Sequence, residues 1–380
     1  MTQATKVFMN NSGLLVVGTV IALVWANVDW EGYIGVANAM RFVVNDGGMA
    51  LFFALAAKEV VEATAPNGAL HSPRRVALPL AAAAGGMLGP ALIYLWLTII
   101  FDRPDLERGW AVPCATDIAF SYLAARIVFG AKHPAIPFLL LLAIADDGIG
   151  LLIIAAFYPA GPLRPLEFCG LVSAAMLIGW WLNKRRTVSF WPYLLTAGVL
   201  SWIGFYRGGL HPALALVPIM PFLPHAARSP GLFVESPSAH DTLNEFEHWW
   251  KRPVDVMLFF FGLANAGVVF GNVGTGTWFV LLAIVVGKPG GILAATALAA
   301  AAGLKRPKGV TWRDLAIVGI IAGIGFTVAL FFSTAAFPYG RLLDETKLGA
   351  LLSFIAFPIA LAAARVLGVG RYAGGRGRRD

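Results

Sequence analysis

Residues 139–158 read LLLLAIADDGIGLLIIAAFY. About 20 apolar residues at a 1.5 Å rise each are enough to span the ~30 Å hydrocarbon layer of a bilayer. The centre of this run holds two adjacent carboxylic acids, Asp146 and Asp147. Each costs roughly 2.5–3.5 kcal/mol at the middle of a membrane helix on insertion scales. A chain keeps such a pair there only where something compensates it or where the acids do chemistry. The rest of the sequence reads as what makes the pair tolerable and useful.

Composition places the surroundings. The 380 residues are 58% hydrophobic and 13% charged, with a mean hydropathy of +0.73. A soluble domain carries about 25% charged residues, so the chain is predicted to be an all-α, polytopic membrane protein with no soluble domain. Hydropathy and Gly/Pro/charge punctuation predict about twelve spans. The first six are 12–28, 45–64, 75–101, 110–130, 134–158 and 167–184. The last six are 190–206, 208–224, 251–271, 276–303, 313–337 and 343–368. The third and tenth exceed the bilayer thickness and imply tilt. Residues 12–28 read as a retained first span rather than a cleaved signal. Cys114 and Cys169 lie in apolar runs and read as small core residues, too few for a disulfide framework or a zinc site. The loop at 29–44 reads as an interfacial turn of helix, and DTLNEFEHWW in the long loop at 225–250 as a short surface helix.

The net charge of +8 raises the question of nucleic acid, but the placement of the charges answers it. With the N-terminus inside, basic residues favour the cytoplasmic segments by roughly three to one, which is the positive-inside pattern. Both termini are therefore expected in the cytoplasm. The basic balance, including the tail GRGRRD, is a topology signal and no nucleic-acid partner is expected. Lys288 alone falls in the middle of a span.

Two spans are irregular. The fourth contains Pro113, which removes a helix hydrogen bond just ahead of Thr116 and Asp117. The eleventh contains Gly319, Gly323 and Gly325 ahead of Thr327. Glycines also serve simple helix packing. If both spans are instead interrupted, their unwound backbone needs protein or a wet cavity around it. Paired interruptions at corresponding places in two repeats point to a transporter site. The spacing fits two inverted three-helix repeats, 75–158 and 276–368, each with its discontinuous helix in the middle (helices 4 and 11).

Asp117, Asp146, Asp147 and Lys288 are the charged groups expected at mid-membrane depth. Asp46, Glu59, Glu62 and Asp255 are within reach of an interface. Neighbouring helix residues point about 100° apart, so Asp146 and Asp147 cannot share one direction. Lys288 is the buried base available to pair with an acid, and it sits in VVGKPGG, where Pro289 and the glycines loosen the helix. A purely structural Asp–Lys lock would need one acid, and two are present. Burial disfavours the charged form of an acid, so buried carboxyls exchange protons near physiological pH. Ionised, they offer the oxygen ligands a small hard cation prefers. Competition of protons and a cation for one pair is antiport. If two groups deprotonate per cation, net charge moves, and the membrane potential contributes roughly 2.3 kcal/mol per charge per 100 mV. The Thr116 hydroxyl and carbonyls at the break could complete a shell. Asp117 and Lys288 are suited to offset the dipoles of half-helix ends.

The stretches NDGGMALFFALAAKEV, GGMLGPALIY, PCATDIAFS, LLAIADDGIGLLIIAAFY, GLANAGV, GKPGGI and GIGFTVALFF occur in that order. In them the chain resembles the NhaA-type sodium/proton antiporter family over nearly its whole length. The resemblance implies that Asp146 and Asp147 carry the ions and protons, with Lys288 as the salt-bridge partner of Asp146. Asp147, Asp146 and Thr116 would hold the transported Na+. Thr116, Asp117, Gly323 and Gly325 would mark the crossing of two broken helices. It further implies electrogenic exchange of two protons for one Na+ or Li+, a bacterial inner (plasma) membrane location and a homodimer. One membrane domain (1–380) would contain a transport core, 75–158 and 276–368, rocking against panel helices, 12–64 and 167–271. Glu59, His211 and Glu247 match positions linked to pH response. No cofactor is implied. Three features depart from the pattern. Glu59 is followed by Val60, Val61 and Glu62 where a basic pair is usual. Pro212 follows His211. The first outside loop is too short for the β-hairpin some members use to dimerise.

Two other readings of the acids fit the sequence less well. An intramembrane aspartyl protease wants one acid on each of two helices, usually with GxGD; here Gly148-Ile149-Gly150 follows the acids, no Asp comes after it, and a buried lysine is surplus. A proton-coupled symporter of a small solute should show arginine or aromatic ligands beside the acids, and none is evident. The chain is therefore read as a transporter, not an enzyme.

Overall fold

The computed structural model of the chain describes residues 13–65, 73–224 and 241–373. Most of the loop at 225–250, including its SPG and SPS stretches, and the basic tail lie outside them. Among the described residues there are helices and turns and no strands. In chain order the helices are α1 (Gly13–Val28), α2 (Trp30–Arg41) and α3 (Met49–Thr64), the last two joined through a π-helical stretch, Phe42–Gly48. Then come α4 (Pro73–Ile100), two 3-10 turns (Pro104–Gly109 and Val112–Cys114), α5 (Ile118–Phe129), α6 (Ala135–Phe157) and α7 (Pro165–Lys184). A π-helical stretch, Tyr193–Gly198, leads into α8 (Val199–Gly208), and α9 is Thr242–Asn265. The π-helical Ala283–Gly287 joins α10 (Thr275–Leu282) to α11 (Lys288–Ala301). Last come α12 (Trp312–Ala322), α13 (Phe326–Ala336), α14 (Arg341–Leu352) and α15 (Ala356–Leu367).

Six helical segments among the described residues are long and apolar enough to cross a membrane, and two bent pairs bring the number to eight. Against the expected twelve, α1 is shorter, at 16 residues. The expected eighth span, 208–224, folds as turns. Gly209 ends α8 with φ of +79°, where a Cβ would also lie 2.3 Å from the Pro162 carbonyl oxygen. Pro212 then opens a 3-10 turn, and a second one spans Met220–Phe222. The expected surface helix at DTLNEFEHWW is instead the beginning of the 24-residue α9, with Leu243 and Phe246 buried. The expected interfacial turn at 29–44 is α2 and the π-helical stretch that carries it into α3.

The chain divides into two compact units. The first contains Ser72–Asp146 and Val268–Asp380. Its tightest seam runs between α4 and the segment α10–α11. A Cβ on Gly85 would lie 2.2 Å from the Gly291 oxygen, and one on Gly89 would lie 2.2 Å from the Gly287 oxygen. Small residues four apart on both helices allow this approach. The seam brackets Lys288, so it fixes where that side chain enters the unit. Pro289 has no N–H and its ring crowds the carbonyl four residues back; the ladder widens to a π turn just ahead of it.

The same unit holds both bent pairs. The turns of Pro104–Cys114 and α5 meet at 55°, and α12 and α13 at 50°. Pro113 lies in the turn before the first break, and Ala115 and Asp117 are extended. Gly323 and Gly325 flank the second break, and a Cβ on Gly325 would come 2.9 Å from the Ala115 oxygen. That contact puts the two interruptions against each other.

The second unit contains Leu14–His71 and Asp147–Gly267. In it α1 packs on α9 with Gly18 at the contact, where a Cβ would meet the Phe259 oxygen at 2.2 Å. A buried pair of amides, Asn45 and Asn265, exchanges hydrogen bonds of 3.0 and 2.8 Å between the π-helical stretch and α9.

Candidate ion-binding site

The two interruptions leave backbone groups that regular helices would have satisfied, and side chains take them up. Asp117 caps α5 by accepting from the Phe120 N–H at 3.3 Å. Its other oxygen accepts from the Thr327 N–H, also at 3.3 Å, and from the Thr327 hydroxyl. One carboxylate thus faces the positive ends of both α5 and α13, where a negative charge is favoured. On the other side, the Asp117 N–H donates to the Ile324 carbonyl at 2.7 Å and Ser121 donates to the Ile321 carbonyl at 3.1 Å. Broken backbone at membrane depth survives only when its groups are paired in this way.

Asp146 and Lys288 sit beside this crossing. Asp146 is 1% exposed and Lys288 is 0% exposed, so neither charge is solvated by bulk water. The Lys288 ammonium lies 3.1 Å from Asp146 Oδ2 and also donates to the Cys114 carbonyl, at the C-terminal end of the turn before the break. The Thr116 hydroxyl lies 2.7 Å from the same carboxylate oxygen and 3.0 Å from the Ala322 carbonyl. It has one proton and can donate to only one of the two at a time. Asp146 Oδ1 is buried with no hydrogen-bond partner. An unsatisfied buried carboxylate oxygen is costly. Here it belongs to the same carboxylate whose other oxygen meets the Thr116 hydroxyl and the Lys288 ammonium.

Asp147 follows on α6, about 100° around the helix, and is half-buried. Thus Asp146, Lys288, Thr116, Asp117, Gly323 and Gly325 belong to one assembly in the first unit, with Asp147 the next residue of the same helix.

The residues expected to govern pH response divide into two places. Glu59 and Glu247 gather on Lys58, which is 2% exposed: Nζ lies 3.7 Å from Glu59, 2.8 Å from Glu62 and 2.6 Å from Glu247. His211 is found beside Asp46, Nδ1 to Oδ1 3.8 Å. The sequence did not single out Lys58 as a hub. The available signal was its i,i+4 spacing to Glu62 within an apolar helix. Also missed were Asp344, Glu345 and Lys347, all buried near the start of α14. Glu345 accepts from the Gly276 N–H at 2.8 Å and from Arg341 at 3.1 Å, and Asp344 accepts from Asn272 at 2.7 Å.

The profile of the family described as Na+/H+ antiporter 1 matches residues 3–364. The chain is 48% identical over 365 residues to the Na(+)/H(+) antiporter NhaA of Desulfitobacterium hafniense (strain DSM 10664 / DCB-2), covering 93% of this chain and 94% of that one. It is 48% identical over 367 residues to the NhaA antiporter of Geobacter metallireducens, with 94% and 96% covered. Among solved structures, the sodium proton antiporter MjNhaP1 from Methanocaldococcus jannaschii at pH 8 shares the fold, with a TM-score of 0.55 at 13% identity, over 95% of this chain and 90% of that one. With its apolar helices and these relatives, the chain is a multi-pass membrane protein that belongs to the Na+/H+ antiporter 1 family.

Proposed function

We propose that the chain is an electrogenic antiporter of the bacterial inner membrane, moving Na+ or Li+ outward against inward protons. The observation that carries this reading is Asp146 itself: fully buried, paired to Lys288 through Oδ2, and uncommitted at Oδ1. A cation binds Asp146 Oδ1, Asp147 and the Thr116 hydroxyl when the acids are ionised. Protons that neutralise the acids remove those ligands, so the two cargoes exclude each other. Thr116 turns its one proton toward Asp146 when the carboxylate is charged. When Asp146 is protonated, Thr116 turns toward the Ala322 carbonyl and stays satisfied. Lys288 balances the charge left on Asp146 when neither cargo is bound.

The arrangement around the site extends the proposal. The residues 75–158 and 276–368 act as two inverted repeats and a moving core, and 12–64 and 167–271 as panel helices in a homodimer. Twelve crossings, counting irregular ones, leave both termini in the cytoplasm. Glu59, Glu247 and His211 tune the response to pH. Loss of two protons per Na+ or Li+ makes the exchange sensitive to membrane potential, at roughly 2.3 kcal/mol per net charge per 100 mV.

The test is dequenching of a ΔpH dye in everted vesicles on adding Na+, Li+ or K+ at several pH values. A response to Na+ and Li+ that is lost in Asp147→Asn is expected. Normal exchange in that variant removes the assignment of the acid pair.

A further inference from the structure

The last span runs on without a bend but tightens part-way along. α14 ends at Leu352, Ser353–Ile355 form a 3-10 turn, and α15 begins at Ala356. Pro358 explains the tightening, since it cannot donate to the carbonyl of Phe354 four residues earlier. The turn belongs to the first unit and is spent on the crossing. Ser353 is 0% exposed, and its hydroxyl oxygen accepts from the N–H of Gly325 at 3.3 Å and of Phe326 at 3.4 Å. Gly325, at the head of α13, brings no side-chain cap of its own. The next N–H, that of Thr327, goes to Asp117. Phe354 completes the contact: its ring lies 4.6 Å from Phe326 and 4.9 Å from Phe120, and those two rings lie 5.5 Å apart. Phe120 and Phe326 are in the first turns of the two half-helices that leave the breaks.

We propose that Ser353 is a positioning residue of the cation site, acting through α13 and Asp117; this rests on the antiport reading above. A buried helix N-terminus carries partial positive charge on its unpaired N–H groups. Ser353 takes two of them, so Asp117 has only Thr327 to hold on that side and remains free to cap α5. Without the serine oxygen, two N–H groups stay unpaired near a site that must accept a cation. Asp117 is then drawn toward them, away from Phe120, and Thr116 moves with it. Cation affinity is the property this degrades first.

The experiment measures half-saturating Na+ and maximal rate in everted vesicles for wild type, Ser353→Ala, Ser353→Thr and Ser353→Val. The alanine variant is expected to raise half-saturating Na+ by roughly three- to tenfold, in keeping with the loss of a buried acceptor, with a smaller change in maximal rate. Thr and Val have nearly the same shape and differ in the hydroxyl, so the valine variant should need several times more Na+ than the threonine variant even if alanine assembles poorly. Equal half-saturation in the Thr and Val variants, or an alanine variant with wild-type half-saturation, overturns the inference and leaves antiport standing. A wild-type chain with no Na+ response removes both.

Discussion

The Lys288 ammonium touches Asp146 Oδ2 at 3.1 Å and, with another of its protons, the carbonyl of Cys114. One buried cation therefore holds an acid from α6 and the end of the turn that precedes the first break. The pair and the interrupted helix are one construction, and disturbing either disturbs both.

Lys288→Ala strands Asp146 and the Cys114 carbonyl together. Removing one partner of a buried ion pair costs about 3–5 kcal/mol. A clear fall in melting temperature is expected, together with a displaced pH profile for exchange. Unchanged melting would mean that the contact contributes nothing in the membrane.

Asp146→Asn and Asp147→Asn should separate by stability. Both are expected to lose Na+-dependent proton release. Asp146 is fully buried against Lys288, so its amide leaves a lysine charge unpaired. Asp147 is half-buried, and its amide should melt closer to wild type. Thermal unfolding of both variants in one detergent checks the order; the reverse order would mean that Lys288 is held mainly by something other than Asp146.

The grouping of Asp146, Thr116 and Lys288 was legible because its residues are improbable where they stand. Two acids in an apolar run, one lysine in the middle of another, and Pro113 ahead of Thr116 each break a local rule, and rule-breaking is visible in a single sequence. What stayed hidden depends on distant partners. Lys58 looks like an ordinary helix-end charge until Glu247, far along the chain on α9, is brought to 2.6 Å. Ser353 is one small polar residue in an apolar helix, and nothing nearby says that it faces Gly325. The stretch 208–224 is apolar enough to be taken for a span, but Gly209 and Pro212 divert it into turns that still bury Leu214, Leu216, Ile219 and Met220.

Lys58 should couple α3 to α9. In a double-mutant cycle of Lys58→Met and Glu247→Gln, a coupling of about 1–3 kcal/mol is expected, from the 2.6 Å contact of a buried ammonium with a partly exposed carboxylate. If Glu247 also tunes the response to pH, Glu247→Gln alone displaces the exchange profile. Additive stabilities would show that the two residues act independently, and an unmoved profile would remove the regulatory role.

Asp117 should reveal whether the crossing needs an acceptor or a charge. It receives the Phe120 N–H, the Thr327 N–H and the Thr327 hydroxyl. Asp117→Ala leaves all three without a partner and should cost about 2–3 kcal/mol, while Asp117→Asn keeps one acceptor oxygen and should cost about 1. Melting curves of the two variants decide it. Equal losses would mean that the negative charge facing two helix ends outweighs the hydrogen bonds.

Neighbouring glycines offer the sharpest test of the packing that seats Lys288. Gly290 and Gly291 are consecutive in α11, and both would be better helix formers as alanine, by up to about 1 kcal/mol. Their surroundings differ completely. A Cβ on Gly291 would sit 2.0 Å from the Gly85 oxygen, a backbone atom that cannot swing aside, whereas a Cβ on Gly290 would meet nothing within 4 Å. Gly291→Ala must therefore push α4 and α11 apart, moving Lys288 away from Asp146; a cost of at least 1–3 kcal/mol, about what overpacking a tight interior brings, is expected along with lost exchange. Gly290→Ala should melt at or slightly above the wild-type temperature and retain exchange. Parity between the two variants would mean that the seam yields, and that the position of Lys288 is held by Asp146 and Cys114 alone.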